Sequence, residues 1–258
     1  MQNAHNNNKH KQILKIKEDN KMIKHYEFKS LGKANHGWLE SSHHFSFASY
    51  YNPARMGFGV LRVVNDDWVK PGTGFPTHPH QNMEIISFVR SGSITHKDSV
   101  GNKGITPAGE VQVMSAGTGI SHSEYNLSEE ALTFYQIWIE PNKHNVKPRW
   151  ESKVFSSESD ENSLPLLVSG YPEDEGKALF INQSARVYGG IIKKGTRFTQ
   201  GIDQQMYVLA SSGSFKVIDN NTEVVMQKGD GAEVTKQKEI TIEALQDSEV
   251  ILLDVPAK

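Results

Sequence analysis

The sequence contains no cysteine, which excludes disulfide bonds, thiolate metal ligands and cysteine nucleophiles. Any metal ion must therefore be bound through nitrogen and oxygen atoms. The absence of cysteine is also compatible with a reducing compartment, and we expect the protein to be cytoplasmic.

Long apolar runs are missing as well. No stretch approaches the roughly 18–20 residues that a membrane-spanning helix needs, and the N-terminus lacks the apolar core of a signal peptide. The formal net charge is −2, so there is no excess of lysine and arginine for contacts with a phosphate backbone. The sequence therefore predicts a protein that binds neither membranes nor nucleic acids directly.

Short apolar runs, such as residues 60–64 and 84–89, are separated by clusters of glycine, proline, asparagine and aspartate. This pattern predicts an all-β fold of the sandwich or small-barrel type, with few short helices. At 258 residues the chain is long enough for two domains of ordinary size.

We divide the chain into four segments. Residues 1–21 are rich in asparagine, lysine and histidine and poor in apolar residues, a composition that predicts a disordered tail. Residues 22–140 form the N-terminal domain and residues 163–258 the C-terminal domain. Between them, residues 141–162 lack apolar periodicity and are interpreted as a linker.

Two motifs, His78-Pro-His80 and His122-Ser-Glu124, each place two metal-binding side chains two residues apart. Residues i and i+2 of a β-strand point to the same face of a sheet, so two neighbouring strands would bring all four side chains together. Each pair alone is a weak indication, since two histidines at a strand end need not bind metal. Together, three imidazoles and one carboxylate suit a divalent transition metal.

The residues around these motifs resemble the two cupin motifs, at residues 74–84 and 109–126. In the usual cupin pattern the carboxylate ligand stands at the position of Glu84. Here a second carboxylate, Glu124, follows the last histidine, and this ending resembles that of pirins and of the bacterial quercetinases similar to them.

The resemblance to the pirin family extends from about residue 22 to the C-terminus. Further pirin-like stretches are residues 35–39, 44–48, 56–58, 61–67 and 135–139. The resemblance implies a bicupin fold, in which two jelly-roll β-barrels follow each other and the first binds the metal.

The C-terminal half repeats the first half without its ligands. Residues 195–215 align without a gap on residues 74–94, with glycines matched near both ends. The aligned positions are Thr199 for His78, Gly201 for His80, Gln205 for Glu84, Ile242 for His122 and Ala244 for Glu124. The sequence thus predicts a second barrel that has lost its metal site, although glycines at turns also match by chance.

Four protein ligands would leave two positions of a six-coordinate ion free for substrate and dioxygen. Iron is the metal that we expect first, with nickel, manganese, cobalt or copper as alternatives. Zinc is less well suited, because catalytic zinc sites usually have three protein ligands and one water.

The resemblance implies one of two functions for a single chain that we expect to be a monomer. The first is a dioxygenase that cleaves the C2–C3 bond of quercetin or a related flavonol and releases carbon monoxide. In that reading Glu124 is both a ligand and the base that takes the proton of the 3-hydroxyl. The second is a non-catalytic regulator that responds to the metal and acts through protein partners.

Four further side chains are candidates for supporting the ligands or lining the pocket: Glu84, Phe47, Phe75 and Gln136. We expect Glu84 to share a strand face with His80, where it either orients a ligand or binds a structural partner. The aromatic residues Trp38, Phe45, Phe47, Phe58 and Phe75 wall a substrate pocket or belong to the core. Gln136 faces the metal cavity, whereas His36, His43 and His44 are expected to have packing roles.

Overall fold

The computed structural model describes residues 22–155, 163–220 and 222–258. The predicted tail, residues 1–21, lies outside the described residues, as does the last part of the predicted linker, residues 156–162.

The chain folds into β-strands joined by short turns. The first strands are β1 (Ile23–Tyr26), β2 (Gly32–Asn35), β3 (Leu39–His43), β4 (Leu61–Val69), β5 (Thr73–His80), β6 (Glu84–Ser91), β7 (Ser93–Asp98), β8 (Lys103–Pro107), β9 (Glu110–Ser115), β10 (Ile120–Asn126), β11 (Leu132–Ile139) and β12 (Arg149–Val154). The later strands are β13 (Leu166–Ser169), β14 (Leu179–Phe180), β15 (Arg186–Ile192), β16 (Arg197–Gly201), β17 (Gln205–Ser212), β18 (Ser214–Ile218), β19 (Glu223–Gln227), β20 (Gly231–Val234), β21 (Glu239–Ala244) and β22 (Ser248–Val255). Short 3₁₀ helices lie at Phe28–Ser30 and Pro172–Asp174.

The strands of the described residues form two barrels, each made of a seven-stranded and a four-stranded sheet. In the N-terminal barrel the strand orders are β12-β9-β6-β11-β4-β3-β2 and β5-β10-β7-β8. In the C-terminal barrel they are β1-β20-β17-β22-β15-β13-β14 and β16-β21-β18-β19. The predicted all-β fold with two tandem barrels and few short helices is confirmed.

Within the described residues, no helix has the length and apolar character needed to cross a membrane.

The two seven-stranded sheets pack against each other through apolar side chains. On β17, Tyr207 and Leu209 join a buried cluster that also contains Ile137 of the N-terminal barrel. The alternate residues Met206 and Val208 point into the interior of the C-terminal barrel. Because both faces of such a strand are buried, its sequence is a nearly continuous apolar run.

Two strands depart from the domain boundaries predicted from the sequence. The strand β1, inside the predicted N-terminal domain of residues 22–140, pairs with β20 of the C-terminal barrel. The strand β12, inside the predicted linker of residues 141–162, pairs with β9 as an edge strand of the N-terminal barrel. The prediction was wrong at both places, because pairing between distant segments leaves no mark in local composition.

The second barrel repeats the first in a register that differs by one residue from the predicted one. His78 lies opposite His122 in the first barrel, and in the second barrel Phe198 lies opposite Ile242, the residue that the sequence aligns with His122. The counterpart of His78 is therefore Phe198 and not Thr199. A one-residue shift moves a side chain to the other face of its strand, so the gapless alignment failed here.

By the same register the counterpart of His80 is Gln200 and not Gly201. The residues at the other ligand positions, Phe198, Ile242 and Ala244, all belong to the apolar core of the second barrel. A packed core therefore occupies the place that the metal cluster has in the first barrel.

Candidate metal centre

The predicted ligands lie on two adjacent antiparallel strands, β5 and β10. His78 is directly opposite His122, and His80 lies two residues further along the same face of β5. The ligand atoms of His78, His80 and His122 all lie within 4.8 Å of one another. The ring centroids are 4.6 Å apart for His78 and His122, 4.8 Å for His78 and His80, and 5.0 Å for His80 and His122.

The turn before β10 requires glycine. Gly117 has a φ of 48°, and a Cβ at this position would lie 2.0 Å from the carbonyl oxygen of Val146. Any residue with a side chain would displace the segment that leads to His122. Glycine at position 117 is therefore a steric requirement of the site.

Glu124 reaches the cluster from the same strand as His122. A register irregularity between these two residues places Glu124 opposite Phe75. Its ligand atom lies within 4.8 Å of those of His122 and His96, a histidine on the neighbouring strand β7. His122 thus belongs both to the three-histidine group and to a second, fully buried group with Glu124.

Two amides hold the carboxylate of Glu124. Gln112 Nε2 donates to Oε1 at 2.6 Å, and Gln136 Nε2 donates to Oε2 at 2.9 Å. The oxygens of these two amides accept hydrogen bonds from Ser87, Thr106 and Trp150. Because each amide is fixed in orientation, both present their N–H groups to Glu124, which is the arrangement that suits an ionised carboxylate.

His80 and His122 are neutral at neutral pH. Burial, together with the neighbouring His122 and His78, lowers the pKa of His80 to about 4. Burial and the neighbours His78 and His96 lower the pKa of His122 to about 3. A neutral imidazole has a lone pair to offer a metal ion.

Hydrogen bonding leaves one ring nitrogen of His78 and one of His122 available to a metal ion. His78 Nδ1 donates to the carbonyl oxygen of Pro76 at 2.7 Å, so its Nε2 carries the lone pair. His122 Nε2 is buried without a hydrogen-bond partner among the described residues. A buried nitrogen of this kind costs free energy unless a ligand binds it. The donor set therefore fits a divalent transition metal.

Glu84 lies away from this cluster. It begins β6 in a different sheet from His80, so the two residues do not share a strand face, and that prediction was wrong. Asn82, between them, has a φ of 47° and turns the chain from one sheet to the other. Glu84 accepts hydrogen bonds from Ser115 and Asn182, which agrees with the structural alternative.

A cavity of about 330 Å³ opens beside the metal cluster. His78, His80 and Glu124 line it, together with the predicted pocket residues Phe47, Phe75 and Gln136. Its aromatic wall also contains Trp138, whose ring lies 5.5 Å from Phe47 and 5.0 Å from His80. Sequence reasoning missed Trp138, although it stands two residues after Gln136 on β11 and so shares its face.

The remaining aromatic and histidine candidates divide between cavity and core. His36 and His43 line the cavity but are absent from both histidine groups. His44 Nδ1 forms a hydrogen bond of 3.0 Å with the hydroxyl of Tyr207 between the barrels. Phe45 and Phe58 pack in the same inter-barrel core, and Trp38 packs edge-on against Phe75.

The polar wall of the cavity contains a buried carboxyl, Asp67, which accepts a hydrogen bond from Ser41. Burial raises the pKa of Asp67 from 3.8 to about 7, although the hydrogen bond from Ser41 opposes the shift. The folded protein therefore binds this proton more tightly than the unfolded chain does. The resulting stability is lost as the pH rises from the unfolded value towards 7.

We predict that Asp67→Asn removes this loss. Asparagine keeps an oxygen for Ser41 but cannot ionise. Between pH 5 and pH 7 the free energy of unfolding of the parent should fall by roughly 2 kcal/mol relative to the variant. Urea unfolding of both metal-free proteins measures this difference, and the two should converge below pH 4, where Asp67 is protonated in the folded and in the unfolded protein. A difference that stays constant over this range would contradict the prediction.

Comparison with known proteins identifies relatives for both barrels. A family model described as pirin matches residues 24–139, and one described as the quercetinase C-terminal cupin domain matches residues 166–255. The chain is 48% identical over 235 residues to the pirin-like protein of Caulobacter vibrioides, with 90% of this chain and 99% of that protein covered.

Relatives with more specific names are also similar over most of their length. The quercetin 2,3-dioxygenase of Escherichia coli K12 is 42% identical over 228 residues, which cover 87% of this chain and 95% of that protein. The crystal structure of the bacterial pirin YhhW from Escherichia coli in complex with nickel(II) has a TM-score of 0.83 and 40% identity. The structural match covers 92% of this chain and 100% of the YhhW chain.

Proposed function

Because the chain belongs to the pirin family, we propose that it is a metal-dependent dioxygenase acting on quercetin or a related flavonol. The reaction would cleave the C2–C3 bond with dioxygen and release carbon monoxide. One observation carries the proposal. A cluster of histidines and Glu124 opens directly into a cavity with an aromatic wall.

The cavity supports a small aromatic substrate. Its volume of about 330 Å³ falls at the lower end of the range of roughly 300–1,000 Å³ for small-molecule sites. Phe47, Phe75 and Trp138 offer ring faces and edges to a flat substrate. Asn65 and Asp67, in the polar wall, offer hydrogen-bonding groups to its hydroxyls. The named activity of the Escherichia coli relative supports a flavonol in particular.

One metal ion would be held by His78, His80, His122 and Glu124. The nickel(II) complex of YhhW supports metal binding in this family, while iron remains the ion that we propose first, with nickel, manganese, cobalt or copper as alternatives. A bound divalent ion would stabilise the anionic form of the flavonol 3-hydroxyl.

Glu124 would act as the base. Its carboxylate borders the cavity, and each oxygen accepts one amide hydrogen bond, which leaves acceptor capacity for the proton of the 3-hydroxyl. Gln112 and Gln136 keep the carboxylate in position while it accepts that proton. The aromatic wall would hold the resulting anion beside dioxygen and keep bulk water away.

We predict that the metal-loaded protein consumes quercetin and dioxygen in equal amounts under air. Loss of the quercetin absorbance, oxygen uptake and released carbon monoxide would be measured after loading separately with iron, nickel, manganese, cobalt and copper. The metal-free protein is the control. If no metal supports consumption of either substrate, the enzyme proposal is wrong, and a metal-responsive regulator acting through protein contacts replaces it.

A further inference from the structure

Two side chains that sequence reasoning did not single out lie next to His122 and are not among the residues that line the cavity. His96 and Asp98 both stand on β7, two residues apart, and the side chains of both are fully buried. His96 pairs with Glu124 and Asp98 with His122 across the β7–β10 register. The arrangement places a carboxylate, an imidazole and a proposed metal ligand in one line.

The hydrogen bonds along this line determine where each proton lies. Asp98 also accepts from the backbone N–H groups of Val100 and Asn102 and from the amide of Asn102, so it acts as an ionised acceptor. His96 Nε2 must then donate to Asp98, at 3.0 Å. In a neutral ring this leaves His96 Nδ1 as an acceptor.

The hydrogen bond between His96 and Asp98 determines the direction of the contact between His96 and His122. His122 Nδ1 lies 3.4 Å from His96 Nδ1, so His122 must be the donor across this long contact. Its Nδ1 carries the proton, and its Nε2 carries the lone pair. That Nε2 is the buried nitrogen without a partner among the described residues. The chain from Asp98 therefore selects the tautomer of His122 that can bind a metal ion through Nε2.

His96 is itself held rigidly. Its ring stacks on Trp150 of β12, with centroids 4.9 Å apart and planes within 10° of parallel. Trp150 in turn lies over Gly104, where an added Cβ would approach the indole to 2.3 Å. The edge strand β12, which lies within the predicted linker, thus supports the metal centre from behind.

We propose that His96 and Asp98 are positioning residues that fix the orientation and tautomer of His122 for metal binding. The proposal rests on the metal site of the proposed function but not on the reaction. His96 is not a further ligand in this arrangement, because both of its ring nitrogens are already used within the protein. Partners of this kind behind a metal-bound histidine typically contribute about 10- to 100-fold in metal affinity.

The test is nickel(II) affinity, measured by chelator competition without any substrate. His96→Phe removes both hydrogen bonds and should weaken nickel binding by about 10- to 100-fold. His96→Asn offers an oxygen near the position of Nδ1 and should restore part of this loss. His44→Phe is the matched control, since His44 is equally buried but lies between the barrels, and its nickel affinity should equal that of the parent.

Two spectroscopic measurements distinguish positioning from ligation. Nitrogen NMR of the metal-free parent should show His122 protonated at Nδ1, and His96→Phe should give a mixture of tautomers. X-ray absorption of the nickel-loaded proteins should give the same number of imidazole ligands in the parent and in His96→Phe. A lower number in the variant would make His96 a ligand and overturn the proposal, as would unchanged affinity together with an unchanged tautomer. Because no step uses quercetin, failure of the dioxygenase proposal leaves this result interpretable.

Discussion

Replacing both His78 and His122 with alanine should abolish the binding of a single metal ion per chain. The two residues lie opposite each other at the centre of the cluster, and their removal leaves only His80 and Glu124 of the four proposed ligands. Two ligands on a rigid barrel cannot complete the coordination of a transition metal. Elemental analysis of protein loaded with iron or nickel and then desalted measures the change.

The matched control replaces two other histidines that face the same cavity. His36 and His43 line it but are absent from the groups that could hold an ion. A His36→Ala, His43→Ala variant should therefore retain one ion per chain. If the His78, His122 variant still holds an ion, the ligand assignment is wrong.

The parent itself should bind no second ion. In the C-terminal barrel the equivalent positions are occupied by Phe198 and Ile242, whose side chains are packed in the apolar core, and by Gln200. Two tightly held ions per chain would show that this barrel, or another part of the chain, holds a site that the fold does not suggest.

The two barrels share their strand and turn pattern but differ at the metal-ligand positions, which explains why the fold of both was predictable from the sequence. Alternating apolar residues and glycine-rich turns identify strands, and the His-x-His and His-x-Glu pairs identify one face of two of them. In the second barrel the turns survive, but the ligand positions carry core residues such as Phe198. The fold is thus encoded by strand alternation and turns, whereas the metal cluster depends on only four positions.

The support around the cluster was less predictable, because it depends on which strands become neighbours. Gln112 of β9 and Gln136 of β11 meet at Glu124, yet they belong to a different sheet from β10. His96 lies outside both metal-binding motifs, and its spacing of two residues from Asp98 was the only local sign that the two side chains share a face of β7. The register between the two barrels was also hard to predict, since the counterpart of His78 is Phe198 instead of Thr199.

Glu124→Gln should reduce quercetin turnover by roughly 10²- to 10⁴-fold, the usual contribution of a general base. Glutamine has nearly the same volume and keeps an oxygen, but it cannot accept the proton of the 3-hydroxyl. Its amide also presents N–H groups to Gln112 or Gln136, which both donate to this position. Metal binding should therefore weaken as well, though less than turnover. Turnover must be expressed per bound ion, at matched metal occupancy.

Two carboxylate variants separate the roles that Glu124 combines. Glu124→Asp keeps a base and shortens its reach, so it should retain more turnover per ion than Glu124→Gln. Glu84→Gln changes another buried glutamate of the same barrel, which binds Ser115 and Asn182 instead of facing the cavity. It should leave metal content and turnover unchanged. If Glu84→Gln empties the site and Glu124→Gln does not, the carboxylate ligand is the one of the usual cupin pattern. If fully metallated Glu124→Gln turns over quercetin at close to the parent rate, Glu124 is only a ligand, and the proton leaves through another group of the cavity wall.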